Sequence, residues 1–321
     1  MTDLATPAAV LADRTPWTVD ARTAPGLYPD VPHADYIADP VIGGSLSSTG
    51  ARRLLASTPE KFRYWQQHPE PPRTTFDVGT AAHREVLGVG PNIVVVPGTG
   101  KKGPEVWDTN TTRAHVEEVR AAGDVPVKPS VAVQVREMAD ALRGNAAARR
   151  ALAPGGEVEL TGVWVDPATG VACRLRADTV HLGPRPLLVE YKTCDDASPG
   201  AAEKAMIRYG YHRQGGWHSA GLRHLLDVAA VGFLIVFQEK DPPYAVHVTQ
   251  PPEIAMMAAD RVNRAALQVY EACTLTGLWP GFNGDQGDAA PTVLGYPAWA
   301  DYDDDDTLSR AAAWAAAVEG S

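Results

Sequence analysis

The segments RLRAD at positions 174–178 and LLVEYK at positions 187–192 decide the fold of this chain. Their pattern is typical of two adjacent β-strands, joined by a short turn over residues 181–186. Side chains alternate between the two faces of a strand, so Glu190 and Lys192 point to the same face. Asp178 stands near the end of the first strand, so the hairpin brings two carboxylates and one ammonium to one end of a sheet.

Such a cluster of charges is unfavourable in a protein interior unless a metal ion or a substrate neutralises it. Carboxylate oxygens are the ligands that Mg²⁺ prefers, and a bound Mg²⁺ can activate water. A lysine beside them can orient the nucleophile or offset negative charge that develops during the reaction. The residue types therefore indicate metal-dependent hydrolysis of a phosphodiester.

The composition excludes several other classes of protein. The chain has 321 residues, a net charge of −10 and 45% hydrophobic residues, which is enough for a substantial core. The acidic charge argues against a protein that coats nucleic acid non-specifically, although local basic patches could still contact DNA. Three scattered cysteines cannot form a disulfide framework or an iron–sulfur cluster. No apolar run is long enough for a membrane span and the N-terminus lacks signal-peptide features, so we expect a cytoplasmic chain.

The rest of the sequence predicts an α/β (α+β) fold, with a central mixed β-sheet flanked by helices and a helical N-terminal part. The predicted strands are residues 93–96, 157–165, 171–182, 187–192, 229–237 and 244–249, of which the second to the fourth form an antiparallel meander. The predicted helices after the meander are residues 201–206, 211–226 and 253–275. The N-terminal part is predicted to hold helices at 76–87, 110–122 and 129–151.

Several other residues could join the central cluster. Glu157 and Glu159 lie on the preceding strand, His83 lies on a helix of small residues, and Gln214 and His218 share one stripe with Tyr211. Taken singly, each is more simply explained as an ordinary surface or packing position. A basic loop holds Lys101 and Lys102 but lacks the Walker pattern, so phosphate contact and plain solvent exposure are about equally favoured.

Together these residues resemble the PD-(D/E)xK nuclease superfamily and, more narrowly, the RecE-like exonucleases of the exodeoxyribonuclease VIII type found in phages and prophages. The resemblance runs from about residue 45 to residue 279. It rests on the order and spacing of SST (47–49), TP (58–59), GTAAH (79–83), Glu159 before Trp164, RLRAD (174–178), EYKT (190–193), Tyr211 and Gln214. Two positions depart from the family pattern, because Ala177 replaces the proline of the motif and His218 replaces the tyrosine of QxxxY.

The resemblance implies a role for each matching residue. It implies a metal site of His83, Glu159, Asp178, Glu190 and the Tyr191 carbonyl, and catalytic roles for Asp178, Glu190, Lys192 and Gln214. The expected cofactor is Mg²⁺, with Mn²⁺ as the alternative. Candidate DNA contacts are Arg174, Arg176, Lys101, Lys102 and Tyr211.

The implied activity is digestion of linear double-stranded DNA from its ends, 5′ to 3′, leaving 3′ single-stranded tails. A RecT-like single-strand annealing protein is the implied partner, and a ring-shaped homo-oligomer is the implied assembly. An endonuclease of the same superfamily and a non-catalytic DNA-end-binding protein remain the alternatives. The expected organisation is an N-terminal arm over 1–44, an exonuclease domain with a restriction-endonuclease-like core over 45–280, and a C-terminal acidic linker and helix over 281–321.

Overall fold

The structure is a computed structural model that describes residues 24–29, 31–68, 77–284, 291, 293–295, 297, 302 and 305–312. The first half of the predicted N-terminal arm therefore lies outside the described residues. So does most of the predicted C-terminal segment, including three positions of the acidic run 301–306 and part of the helix predicted within that segment. Residues 305–312 of that segment are helical.

The strands of the described chain are β1 (Gly26–Tyr28), β2 (Leu46–Ser47), β3 (Ile93–Val95), β4 (Val125–Val127), β5 (Glu157–Val165), β6 (Ala172–His181), β7 (Leu187–Cys194), β8 (Gly232–Glu239) and β9 (Val246–Thr249). The helices are α1 (His33–Ile37), α2 (Ser48–Ala56), α3 (Pro59–Gln67), α4 (Asp77–Leu87), α5 (Asn110–Ala121), α6 (Pro129–Gly144), α7 (Ala146–Ala151), α8 (Pro199–Tyr209), α9 (Tyr211–Leu226) and α10 (Glu253–Thr276).

The main sheet is mixed, as predicted. Its strand order is β1-β5-β6-β7-β8-β9, and β2 also pairs with β6. Strands β5, β6 and β7 form the expected antiparallel meander, whereas β8 runs parallel to β7 and β9 returns antiparallel to β8. A parallel neighbour requires a crossover connection, which α8 and α9 provide between β7 and β8.

Helices cover both faces of this sheet. On one face α2, α9 and α10 bury a core that includes Leu54, Leu175, Trp217 and Leu222. On the other face α4, α6 and α7 pack over a second core around Met138. The predicted sheet flanked by helices is therefore confirmed. Within the described residues, no helix combines the length and the apolarity that crossing a membrane requires.

Three short strands escaped the sequence prediction. Strand β4 pairs in parallel with β3 in a separate two-stranded sheet, where the sequence indicated only a turn between helices. Strands β1 and β2 add to β5 and β6 through two or three residue pairs each. Such short segments carry too few residues to show a period of two, and only their distant partners define them. Asn145 also divides the helix predicted over 129–151, because its side chain caps the start of α7.

Candidate functional site

The charged residues of β6 and β7 meet as the sequence predicted. The Lys192 Nζ atom lies 2.7 Å from Glu190 Oε2 and 3.4 Å from Asp178 Oδ2. The backbone pairing of β6 with β7 ends at Thr179 and Val189, so the strands separate just before this point. There the amide of Tyr191 donates to Asp178 Oδ2 at 2.8 Å in place of a neighbouring carbonyl. The separation of the strands opens the site and fixes the Asp178 carboxylate at its edge.

His83 and Glu159 join Asp178 from two other elements. His83, on α4, places Nε2 3.3 Å from Asp178 Oδ1 and Nδ1 3.4 Å from Glu159 Oε1. One ligand atom of each of the three residues lies within 4.8 Å of the other two. Glu159 also accepts a close hydrogen bond from the guanidinium of Arg176. The structure thus forms one cluster from residues about 75 and 20 positions apart in the chain.

The backbone at Glu159 adopts the left-handed conformation, with φ of 53°. The register of β5 against β6 places Glu159 opposite Asp178, and this is the one position of the ladder from Glu157 to Val165 at which the strands do not pair. A residue other than glycine reaches this conformation only at an energetic cost, and such residues concentrate at functional sites. The sequence prediction assumed an ordinary extended strand at this position, so the turn of the Glu159 backbone was not foreseen.

Glu190 is buried and held by three side chains. Gln214 Nε2 donates to its Oε2 at 2.9 Å, and His218 Nδ1 lies 2.9 Å from its Oε1. Lys192 provides the third contact. The carboxylate is only 1% exposed, so these partners replace the water it would otherwise bind. Both carboxylate oxygens of Glu190 have partners within the protein. Its role as a metal ligand stays a prediction.

His218 is the site residue to which the sequence analysis gave no role. It is buried on α9, one turn beyond Gln214, and both side chains face Glu190. The stripe of Tyr211, Gln214 and His218 carried the signal, because polar side chains on a face that continues as apolar leucines require a polar neighbour. That neighbour could not be identified without the packing of α9 on the sheet.

The cluster fixes the charge state of its members. Burial would raise the pKa of Asp178, but the Lys192 ammonium, a hydrogen bond from His83 and the Tyr191 amide lower that pKa well below its usual range. Burial would lower the pKa of Lys192, but Asp178 and Glu190 outweigh it and raise that pKa above its usual value. Near neutral pH, Asp178 is therefore a carboxylate and Lys192 an ammonium.

The donors of His83, Glu159 and Asp178 suit a divalent cation. Two carboxylates face each other across neighbouring strands, an arrangement that a cation between them would stabilise. Oxygen donors fit Mg²⁺, and the imidazole nitrogen also fits Mn²⁺. The chemistry of this donor set therefore agrees with the expected cofactor. Ligation by the Tyr191 carbonyl stays a prediction.

The predicted DNA contacts divide into two groups. Tyr211 lines the cleft, with its ring 5.7 Å from Lys192 Nζ. The guanidinium of Arg174 is used internally, because it pairs with Asp39 at 2.7 Å and donates to Ser45. Arg176 borders the cleft but binds Glu159 and the Val31 carbonyl.

Lys101 and Lys102 lie in a loop that does not contribute to the cleft. Arg174, Lys101 and Lys102 therefore do not line this cleft, and their contact with DNA stays a prediction. Their residue type suggested the selection, but only the fold shows which cations face the cleft.

The cluster forms the floor of a cleft of about 1210 Å³. The walls come from α2, α4, α8, α9 and the strand ends, and they include Thr49, Lys204, Arg208 and Tyr209. A cleft of this size is open enough to admit an extended chain to Lys192 and Asp178.

No protein-family model and no curated protein matches the sequence. Among solved structures, the chain is similar to a crystal structure reported as that of a "putative exonuclease" from Eubacterium rectale. The TM-score is 0.50 and the sequence identity 11%, over 79% of this chain and 90% of that chain. At this identity the similarity shows a shared fold, with a central mixed sheet between helices.

Proposed function

We propose that this chain is a metal-dependent deoxyribonuclease that hydrolyses phosphodiester bonds in the cleft above Asp178 and Lys192. The observation that carries the proposal is the convergence of His83, Glu159 and Asp178 on one point, with the Lys192 ammonium 3.4 Å from the same Asp178 carboxylate. A binding protein gains nothing from acids gathered beside phosphate, because they repel it unless a cation intervenes. The fold shared with the exonuclease-like structure from Eubacterium rectale is consistent with this proposal.

Each residue has a part that follows from its contacts. His83, Glu159 and Asp178 would hold the cation, which supplies a Lewis acid beside the scissile phosphate and makes a nearby water more acidic. Lys192 is an ammonium with no acceptor capacity, so it cannot serve as a general base in this state. It donates to the attacking water or to a phosphate oxygen and offsets negative charge there.

Glu190 sets the position of that ammonium. Its Oε2 accepts hydrogen bonds from Lys192 and Gln214, and its Oε1 contacts His218 Nδ1. This buried network limits the directions in which Lys192 can point, which is a requirement for stabilising a charge that exists only briefly. Gln214 and His218 therefore act through Glu190.

The finer features of the proposal rest on the resemblance to RecE-like enzymes. They are digestion of linear double-stranded DNA from its ends in the 5′-to-3′ direction, production of 3′ tails, a role in recombination with a RecT-like annealing protein, and assembly as a ring. A ring would help a chain with a net charge of −10 to retain DNA by enclosing it.

One experiment separates an exonuclease from an endonuclease and from a non-catalytic DNA-end-binding protein. A linear duplex labelled at its 5′ or its 3′ ends, and a closed circular duplex stained after electrophoresis, are incubated with the protein, with and without Mg²⁺ or Mn²⁺. We expect metal-dependent shortening of the linear duplex from the 5′ ends and no cutting of circles. Cutting of circles would instead identify an endonuclease, and binding without cleavage would identify a DNA-end-binding protein.

The substitution Lys192→Ala tests the chemistry directly. We expect the rate of cleavage to fall by about 10²–10³-fold, as for the loss of one donor that stabilises transition-state charge. DNA binding should be largely retained, since other cations line the cleft. Lys101→Ala is the matched control, because it also removes one ammonium but from outside the cleft. Equal cleavage by wild-type protein and the Lys192→Ala variant would contradict the assignment.

A further inference from the structure

Helix α8 turns a basic stripe toward the cleft. Ala201, Lys204, Ala205 and Arg208 all line the cleft, and their spacing places them on one face of the helix. The two alanines have small side chains, so they leave the surface beside the two cations open. Lys204 and Arg208 are four residues apart, which corresponds to about 6 Å along the helix axis. That distance is close to the separation of consecutive phosphates along one nucleic-acid strand.

These cations have no carboxylate partner in the part of the chain that the structure describes. Neither Lys204 nor Arg208 forms an ion pair there, whereas the exposed Arg143 pairs with Asp140 along its own helix. Of the nearby acids, Glu203 does not line the cleft and Asp195 pairs with Lys240 at 2.6 Å. Asp196 accepts the amide of Ser198 and acts on Lys204 only through its charge. Two unpaired cations facing a cleft, in a chain of net charge −10, indicate an anionic ligand.

Arg52 extends the stripe beyond the end of α8. Its guanidinium donates to the Tyr209 carbonyl and to Thr49 Oγ1, and its Nε has no partner. It shares the space beside Gly210 with Arg213, a second arginine without a carboxylate partner among the described residues. Gly210 itself has φ of 68°, and a Cβ there would lie 3.0 Å from Arg52. The fold thus brings like charges together beside Gly210, at the junction of α8 and α9.

Two tyrosines lie between this stripe and Lys192. Tyr209 is 49% exposed at the end of α8, and its ring centroid lies 5.6 Å from that of Tyr211. Tyr211 in turn lies beside Lys192. Exposed aromatic rings next to a line of cations are the usual elements of a surface that binds single-stranded nucleic acid, where bases stack while phosphates contact the cations.

We propose that Lys204, Arg208 and Tyr209, hereafter the α8 track, bind the phosphates and bases of one DNA strand and direct it to Lys192. This inference rests on the proposed function, and it names the surface that holds the substrate. Unlike Arg174, Lys101 and Lys102, all three members of the track line the cleft.

The test compares two double variants of equal charge. Lys204→Ala with Arg208→Ala removes two cations from the α8 track, and Lys101→Ala with Lys102→Ala removes two from a loop outside the cleft. Affinity for a duplex with a single-stranded tail is measured by fluorescence anisotropy at several salt concentrations, with Ca²⁺ replacing Mg²⁺. The melting temperature of each variant checks that these exposed substitutions leave the fold intact.

We expect the α8 variant to bind about 10–100-fold more weakly, and its dependence of log K on log salt to be shallower by about 1–2 units. The loop variant should bind within about twofold of wild type. Tyr209→Ala should weaken binding of the tail by at least about fivefold, and Tyr209→Phe should restore it. Equal affinities of the two double variants would overturn the inference.

Cleavage assays keep this test separate from that of the proposed function. The α8 variant should have a raised KM with kcat within about threefold of wild type, because the track binds DNA but does not touch the reacting atoms. If wild-type protein cleaves DNA and the α8 variant binds normally, only the α8 track is wrong. If wild-type protein cleaves nothing but binding still depends on α8, the proposed enzyme is wrong and the track stands.

Discussion

Glu159 shows at the level of one residue how the site departs from regular structure. Its left-handed backbone interrupts the ladder of β5 and β6, and its carboxylate contacts both His83 and Arg176. For a residue with a Cβ this conformation costs about 1–2 kcal/mol. The interactions of the carboxylate with His83 and Arg176 offset this strain.

The strain at Glu159 leads to a prediction about stability. Glu159→Gly and Glu159→Ala both remove the carboxylate, but only glycine relieves the strain. We expect the Gly variant to be more stable than the Ala variant by about 1 kcal/mol, as measured by urea denaturation. At Glu157, where the strand pairs regularly with Val180, the order should reverse. Equal stability of the two variants at position 159 would show that the residue is not strained.

At the level of elements, the turn between β5 and β6 is fastened to helix α10. The Asp166 carboxylate accepts the amide and hydroxyl of Thr169, at 3.0 and 2.8 Å, and Arg264 of α10 contacts both of its oxygens. Gly170 closes the turn with φ of 68°, a conformation that glycine adopts without a steric cost. The contact fixes the hairpin that carries Glu159 and Asp178 against the helical layer.

This contact predicts a pH-dependent loss of stability in Asp166→Asn. Burial would raise the pKa of Asp166, but Arg264 and Thr169 outweigh it and lower that pKa. A lowered pKa in the folded state means that the contribution is complete above the unfolded pKa of about 3.9 and is lost as the pH falls through the lower folded value. We expect a destabilisation of about 1–3 kcal/mol at pH 7 that shrinks below about pH 4.

Urea denaturation at pH 7 and at about pH 3.5 measures this change. Arg264→Ala provides the comparison, because a shared interaction makes the double variant less destabilised than the sum of the two single variants. Additive effects, or a difference between wild type and variant that stays constant with pH, would exclude the ion pair as the cause.

The whole molecule is assembled so that the candidate cation site joins distant parts of the chain. His83 belongs to the helical layer on one face of the sheet, whereas Glu159 and Asp178 belong to the first two strands of the meander. A cation bound there would link these parts in the folded state only, because the unfolded chain does not bring the three side chains together.

Mg²⁺ or Mn²⁺ should therefore raise the melting temperature. At a free concentration of one hundred times Kd, binding to the folded state adds about 2.7 kcal/mol. For a chain of this size that corresponds to a rise of roughly 4 °C. Differential scanning fluorimetry with increasing metal would measure it.

Glu159→Gln tests the site, and Glu157→Gln is its matched control. Both change the same residue type, two positions apart on one strand. Only the first should lose the metal-dependent rise. The same rise in both variants would place the cation somewhere other than the cluster of His83, Glu159 and Asp178.

The sequence by itself determined the features that depend on local pattern. The period of the side chains and the short turn after His181 were enough to predict the meander, the face shared by Glu190 and Lys192, and their meeting with Asp178. Helix α9 and strand β5 have the predicted bounds, since both are long enough to show a clear pattern.

Tertiary structure alone decided which distant groups complete the site. The approach of His83 to Asp178, the hold of His218 on Glu190 and the left-handed turn at Glu159 arise from packing between elements far apart in the chain. The same holds for the cations, because Arg174 faces inward and α8 faces the cleft only through the arrangement of the layers. Local sequence encodes the direction of a side chain along its own element, but its partner depends on how the elements pack.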